Sequence, residues 1–204
     1  MIPGMSRAAQ RYLPSTALIV VDMQNDFADP AGSLYVRGGE AIVEVVNAEL
    51  EAAAAAGAVT VCTQDWHPES TPHFAKDGGI WPVHCVAETW GAQLHPGVRV
   101  PPGTTTVRKG VHGEDGYSGF SVRHPTTGVS GTTGLDTTLR SRGVDSIVVI
   151  GLATDYCVKE TAVDAVRLGY ATSVLTDAVR AVDLREGDGD RSLAELRAAG
   201  VALP

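Results

Sequence analysis

Cysteine is scarce in this sequence: Cys62, Cys85 and Cys157 are the only three, an odd number with no close pairing. That argues against a disulfide framework and points to a reducing compartment, the cytoplasm. Basic residues are also in deficit, with 16 Lys and Arg against 24 Asp and Glu and a formal net charge of −8. Nucleic acid and anionic membrane surfaces both require clustered Lys and Arg, so neither is an expected partner. The acidic residues are spread along the chain, which reads as solubility and not as a tail. No stretch reaches the about 18 continuous apolar residues of a membrane span. The opening MIPGMSRAAQRYLPSTA lacks the basic segment and apolar core of a signal peptide. Internal repeats and low-complexity linkers are missing too.

What is present is a chain of 204 residues, 44% of them hydrophobic, which suits one domain with a sizeable core. Residues 1–15 read as a frayed or lightly packed lead-in and 16–204 as a single domain. Ala17–Val21 (ALIVV) is a short apolar run rich in β-branched residues, the pattern of a strand buried on both faces. Glu40–Gly57 is Ala-rich, carries spaced Ile42, Val45, Val46 and Leu50, and stops at a glycine, as helices do. Further strands are expected at Ala58–Thr63, Thr104–Arg108, Ser146–Ile150 and Ala171–Thr176, with a last short one at Val201–Leu203. Further helices are expected at Thr133–Gly143, Asp155–Gly169 and Ser192–Gly200. This alternation implies an α/β fold with a mostly parallel sheet covered on both faces. The segment from Gln64 to Pro102 breaks the rhythm. It is rich in Pro and Gly and holds most of the histidines and tryptophans, and a long insertion of that kind is usually functional.

In open parallel sheets, ligands bind beyond the carboxyl ends of the strands. That rule gathers Asp22, Asp65, Lys109 and Cys157 at one edge; it also nominates Asp177, which reads better as a cap. Cys157 lies just after a strand in the first turn of a helix, where backbone N–H groups and the helix dipole favour a thiolate and can hold an oxyanion. The plainer reading, a buried small apolar residue, fits poorly with the polar setting ATDYC. Asp22, following an apolar run, is either a cap or a carboxylate with a raised pKa and a chemical task. No His neighbours Cys157 in sequence, so an Asp base with a Lys neighbour is a plausible substitute for the usual imidazole. Lys109 taken alone reads as a solvated residue.

Asp65, His67, His73 and His84 fall within DWHPESTPHFAKDGGIWPVHC. Residues i and i+2 at a strand end point the same way, so Asp65 and His67 can share a metal with two loop histidines. Three imidazoles and a carboxylate suit one divalent transition metal: Zn, Fe or Mn, with Zn favoured. His95, His112 and His124 have no such company. Phe27 and Trp81 flank these groups; core packing is the usual fate of an aromatic, and stacking on a flat substrate ring is the rival reading.

VVDMQNDF (Val20–Phe27), DWHPESTPHF with WPVHC (Asp65–Cys85), RKG followed by DGYSGF (Arg108–Phe120) and IGLATDYCVKETAVDA (Ile150–Ala165) together resemble the nicotinamidases, or pyrazinamidases, of the isochorismatase-like cysteine hydrolases. The resemblance spans nearly the whole chain after residue 15. It implies a three-layer α/β/α sandwich and hydrolysis of nicotinamide, or pyrazinamide, to the acid and ammonia. It implies a catalytic triad of Asp22, Lys109 and Cys157, and Asp65, His67, His73 and His84 as metal ligands. Phe27 and Trp81 become the aromatics that sandwich the substrate, with Leu152 beside it. The Leu152–Ala153 peptide becomes a cis bond that turns the Ala153 N–H, with that of Cys157, to the oxyanion. The variable positions are Tyr156 and the stretch Lys76–Ile80, which bear on substrate range. Rival readings are a related cysteine amidohydrolase or isochorismatase with another substrate, and a metal-dependent binding protein without turnover. The metal ligands argue against a metal-free relative, and the intact triad argues against a mere binder. The oligomeric state is open, with a homo-oligomer possible.

Overall fold

The computed structural model describes residues 11–204. Strand β1 (Thr16–Val21) is buried along its whole length. It lies between β2 (Val59–Asp65) and β6 (Ser146–Leu152), parallel to both, with Val20 opposite Cys62 on one side and Ile150 on the other. Strand β3 (Thr105–Lys109) adds beyond β2, and β7 (Ala171–Arg180) beyond β6, giving the order β3-β2-β1-β6-β7. The chain therefore winds outwards in one direction from β1 and later in the other. The switch falls between β1 and β6, where a crevice opens at the carboxyl ends.

Side chains alternate along the strands and divide the core in two. A one-turn helix α1 (Asn25–Ala28) follows β1. Leu18, Val20, Cys62, Val148 and Ile150 face helix α2 (Val43–Ala55), which presents Val46, Leu50 and Ala53. Ile19, Val21, Val61 and Val149 face the other way, towards α3 (Leu135–Ser141), α4 (Lys159–Arg167) and α5 (Asp188–Ala198). This is the expected three-layer α/β/α sandwich. Gly151 is required where β6 pairs closely with the end of β1 at Val21. Its φ is +110°, and a Cβ there would sit 2.1 Å from the Val21 carbonyl oxygen.

Several elements differ from expectation. The helix expected from Glu40 opens with a tight 3-10 turn, Glu40–Ile42. Cys157 lies not in an α-helical first turn but in a π-turn, Thr154–Val158, that precedes α4. Strand β7 runs on to Arg180, so Asp177 is an exposed strand residue and not a cap. Helix α5 starts earlier, at Asp188, and the last short strand is reduced to one bridge, Ala202 with Ser173. The antiparallel hairpin β4 (Ser121–Arg123) and β5 (Ser130–Thr132) was not anticipated. Residues 1–10 of the expected lead-in lie outside the described residues. In its remainder Tyr12 departs from light packing: its ring is buried and its hydroxyl donates to Glu49 of α2 at 2.6 Å. Among the described residues, no helix is long and apolar enough to cross a membrane, and all three cysteines are unpaired.

Candidate active site

Asp22 leaves β1 with a φ of +47°, a backbone conformation that non-glycine residues seldom adopt. Thr63 of β2 secures it: the Asp22 N–H donates to the Thr63 hydroxyl oxygen at 3.2 Å, and that hydroxyl donates to Asp22 Oδ1 at 2.6 Å. Lys109 ends β3 and points its ammonium back under the strand ends. It is 1% exposed and donates to Asp22 Oδ2 at 2.7 Å, to Asp65 Oδ1, and towards Cys157 Sγ at 3.6 Å. Asp22, Asp65 and Cys157 bring a carboxylate oxygen or sulfur within 4.8 Å of one another. Lys109, which alone read as a solvated residue, is thus the counter-charge of two buried carboxylates.

Burial sets the protonation of this group. It raises Asp22 above the ordinary carboxylate range, against the pull of Lys109 and with the repulsion of Asp65. Burial would raise Asp65 too, but Lys109 and His67 prevail and hold it low. Burial alone would lower Lys109; Asp22 and Asp65 instead lift it well above its usual value. The Cys157 thiol is pushed well up, first by burial and then by Asp22 and Asp65, with Lys109 opposing. Desolvation therefore outweighs Lys109 and the start of the helix, both of which favour a thiolate. The resting sulfur carries its proton, with a carboxyl of raised proton affinity beside it.

Asp65 turns its other oxygen to the histidines, with Oδ2 3.7 Å from His67 Nε2 and 3.9 Å from His84 Nε2. His67, His73 and His84 each offer a ring nitrogen within 4.8 Å of the others. His84 Nδ1 donates to the Pro82 carbonyl at 2.7 Å and His73 Nδ1 to Asp115 Oδ1 at 3.0 Å, leaving both Nε2 atoms for another partner. Both nitrogens of His67 are buried without any hydrogen-bond partner. Burial brings His84 down to about 4, so its ring is neutral at pH 7, the form that binds metal. The hydrogen bond from His73 is the main cause that holds Asp115 down, to about 2. Orphaned imidazole nitrogens beside a carboxylate fit a divalent transition metal.

The four expected ligands reach this place because the segment after β2, which carries the three histidines, is stitched with Asp65 to the end of β1. Gln24 donates to the carbonyls of Asp65 and Ala92 at 2.7 and 2.9 Å and accepts from the Asp65 N–H at 2.8 Å. Asn25 donates to the Trp90 carbonyl, and the Asp26 carboxylate accepts from the N–H groups of Cys85 and Ser33. Sequence reasoning assigned no role to these three residues. Their signal was a place inside the motif VVDMQNDF and three consecutive polar side chains, which turn out to be almost wholly buried.

A cleft with about 390 Å³ of empty space, part of it open at the mouth, lies over the switch point. Asp22, Phe27, Asp65, His73, Trp81 and His84 line it, and so do Leu152, Ala153 and Cys157. The Leu152–Ala153 peptide is cis. His67 and Lys109 do not reach the cleft and lie behind its wall. His95, His112 and His124 lie elsewhere; His95 and His124 each accept a backbone N–H of a nearby turn. Tyr117 and Tyr156 also line it, with Leu34, Val36 and Val182. Trp81 Nε1 donates to the Tyr117 hydroxyl at 3.1 Å, and Trp81 meets Tyr156 edge-on with ring centres 5.0 Å apart. Tyr117 was missed as a site residue although it sits in DGYSGF, because its partner is 36 residues away.

The isochorismatase domain matches residues 16–203. The nicotinamidase/pyrazinamidase of Mycobacterium tuberculosis is 41% identical over 191 residues, covering 92% of this chain and 97% of the relative. Among solved structures, pyrazinamidase of Pyrococcus horikoshii in complex with zinc superposes with a TM-score of 0.84 at 38% identity, covering 94% of this chain and 99% of the other. PnC1 from L. infantum in complex with nicotinate gives 0.82 at 39% identity, covering 94% and 92%.

Proposed function

The chain belongs to the nicotinamidase/pyrazinamidase group of the isochorismatase family and is an amidohydrolase, and we propose that it converts nicotinamide to nicotinic acid and ammonia, and pyrazinamide likewise, through a thioester on Cys157. The observation that carries this reading is that Asp22 and Cys157 meet in one small cleft, with Lys109 buried against both behind its wall and a cluster of three imidazoles beside them. Residues 16–204 act as a single hydrolase domain, and the unpaired thiols fit a reducing compartment such as the cytoplasm.

Asp65, His67, His73 and His84 are the residues that would hold one divalent transition metal, with zinc the first choice. When bound, such a metal supplies a Lewis-acid position for a ring nitrogen of the substrate. Phe27 and Trp81 hold the flat ring from its faces, with Leu152 against its edge. The carboxamide carbon then faces Cys157. Asp22 takes the thiol proton as the sulfur attacks, a transfer between two groups whose proton affinities burial has already raised together. The N–H groups of Ala153 and Cys157 hold the oxyanion; one such donor is worth about 2.7–4 kcal/mol in the transition state. Asp22 passes its proton to the departing ammonia. It then serves as base for the water that cleaves the thioester and frees the acid and the thiol. Lys109 keeps its charge throughout and balances whichever of Asp22 and the sulfur is anionic.

The test is ammonia release by purified protein from a small panel of pyridine and pyrazine carboxamides. Nicotinamide and pyrazinamide should both be turned over, and Cys157→Ala should abolish this in a folded protein. Turnover that survives in Cys157→Ala above contaminant level would refute covalent catalysis at this residue. A wild-type protein that releases ammonia from benzamide, added to the panel as a ring without nitrogen, and from no pyridine or pyrazine carboxamide would refute the substrate assignment.

A further inference from the structure

His67 follows directly on the end of β2, and His84 is braced by the carbonyl of Pro82 in its own loop. His73 has neither support. It sits in the insertion, away from any strand, and its ring is oriented by a carboxylate 42 residues further on, Asp115. Asp115 is held in turn. Its N–H donates to the Arg123 carbonyl at 2.7 Å, the Arg123 N–H donates back to the Asp115 carbonyl, and Arg123 Nη2 donates to Asp115 Oδ2 at 3.4 Å. Oδ1, the atom that receives His73, also accepts the Gly116 N–H at 2.9 Å. Arg123 closes β4 and pairs with Ser130 of β5. The β4–β5 hairpin is thus the frame behind one imidazole of the histidine cluster.

We propose that Asp115 is a positioning residue for His73, fixing the ring so that Nδ1 carries the proton and Nε2 is presented to the metal. The proposal rests on the metal reading given above. A carboxylate can only accept, so the Nδ1 it touches must donate, and the neutral ring then has its lone pair on Nε2. Outer carboxylates of this kind typically change metal affinity by about 10–100-fold when removed. Of the three imidazoles, His73 is the one whose tautomer is set by a charged group from another segment. The cost of losing Asp115 should therefore run through His73 alone.

The experiment is zinc titration of metal-stripped protein against a competing chelator, which reads affinity without turnover. Asp115→Ala should weaken zinc binding about 10–100-fold. Asp115→Asn, which keeps an acceptor oxygen but loses the charge, should give a smaller loss; it also keeps the test open should the alanine variant not fold. In a His73→Ala background, Asp115→Ala should add no further loss. Equal affinity in wild type, Asp115→Ala and Asp115→Asn would overturn the proposal. So would a full loss in the His73→Ala background, because that would mark a general charge effect. A wild-type protein that binds no zinc, iron or manganese would overturn the metal reading itself and this inference with it.

Discussion

Lys109→Met removes the one ammonium that two buried carboxylates share. Lys109 is fully enclosed, 2.7 Å from Asp22 and in direct contact with Asp65. Methionine fills similar space, so the change is one of charge and not of volume. Removing one partner from a buried ion pair typically costs about 3–5 kcal/mol, because the other charge is left uncompensated. For a domain of this size that corresponds to a fall in Tm of about 6–20 °C. The loss should be larger in metal-stripped protein, where Asp65 has no other cation. It should also depend on pH with a definite sign. Asp22 binds its proton more tightly in the folded chain than in the unfolded one. Between the ordinary carboxylate pKa and the raised folded value, the folded state therefore holds more protons, and stability falls as pH rises through that window. Without Lys109 the folded value moves further up and the window widens, with a limiting slope of about 1.4 kcal/mol per pH unit for one proton. The assay is thermal and denaturant unfolding of metal-stripped wild type and variant from pH 5 to about pH 8. A variant that melts within about 2 °C of wild type, or one whose deficit relative to wild type shrinks as pH rises, would show that Lys109 does not compensate buried negative charge; the comparison cancels the opposite contribution of His84, which both proteins share.

Elemental analysis should find about one transition metal per chain, and His67→Ala should lose most of it along with nicotinamide binding; a fully active, metal-free protein contradicts this. Tyr117→Phe removes the acceptor of the Trp81 N–H and should raise KM by about 2–12-fold, the worth of one hydrogen bond, with a smaller effect on kcat; an unchanged KM would mean that Trp81 needs no such anchor. With iodoacetamide, Cys157 at 7% exposure should react before Cys62 and Cys85, both 0% exposed, and its rate should climb with pH because its thiol is raised. Asp22→Asn should lower the apparent pKa of that reaction and Lys109→Met should raise it, as mass spectrometry of the alkylated peptide would record; the opposite order would refute the charge arrangement around the sulfur.

The elements that were legible in the sequence are those whose cause is local. Ala17–Val21 reads as a buried strand because every residue in it is apolar, and the strand-end rule then places Asp22, Asp65, Lys109 and Cys157 together without any knowledge of their contacts. The histidines of the insertion were legible because their residue types are rare and crowded. The hairpin β4–β5 was not, since three-residue strands such as Ser121–Arg123 and Ser130–Thr132 are too short to show a period of two. Asp115 and Gln24 escaped for a related reason: each acts through partners about 40 or more residues distant, and an isolated polar side chain gives no sign of whom it will meet. The state of Cys157 shows the same limit in energetic form. Its position before α4 is a local fact and argues for a thiolate. Its desolvation is a sum over the whole fold, and so is the field of Asp22, Asp65 and Lys109, which arrive from three other strand ends. Lys109 alone spans 87 residues to Asp22, 44 to Asp65 and 48 to Cys157. Chain position can therefore nominate a sulfur and an Asp base for it, while the direction in which the thiol's proton affinity moves follows only once these charges are packed around that sulfur.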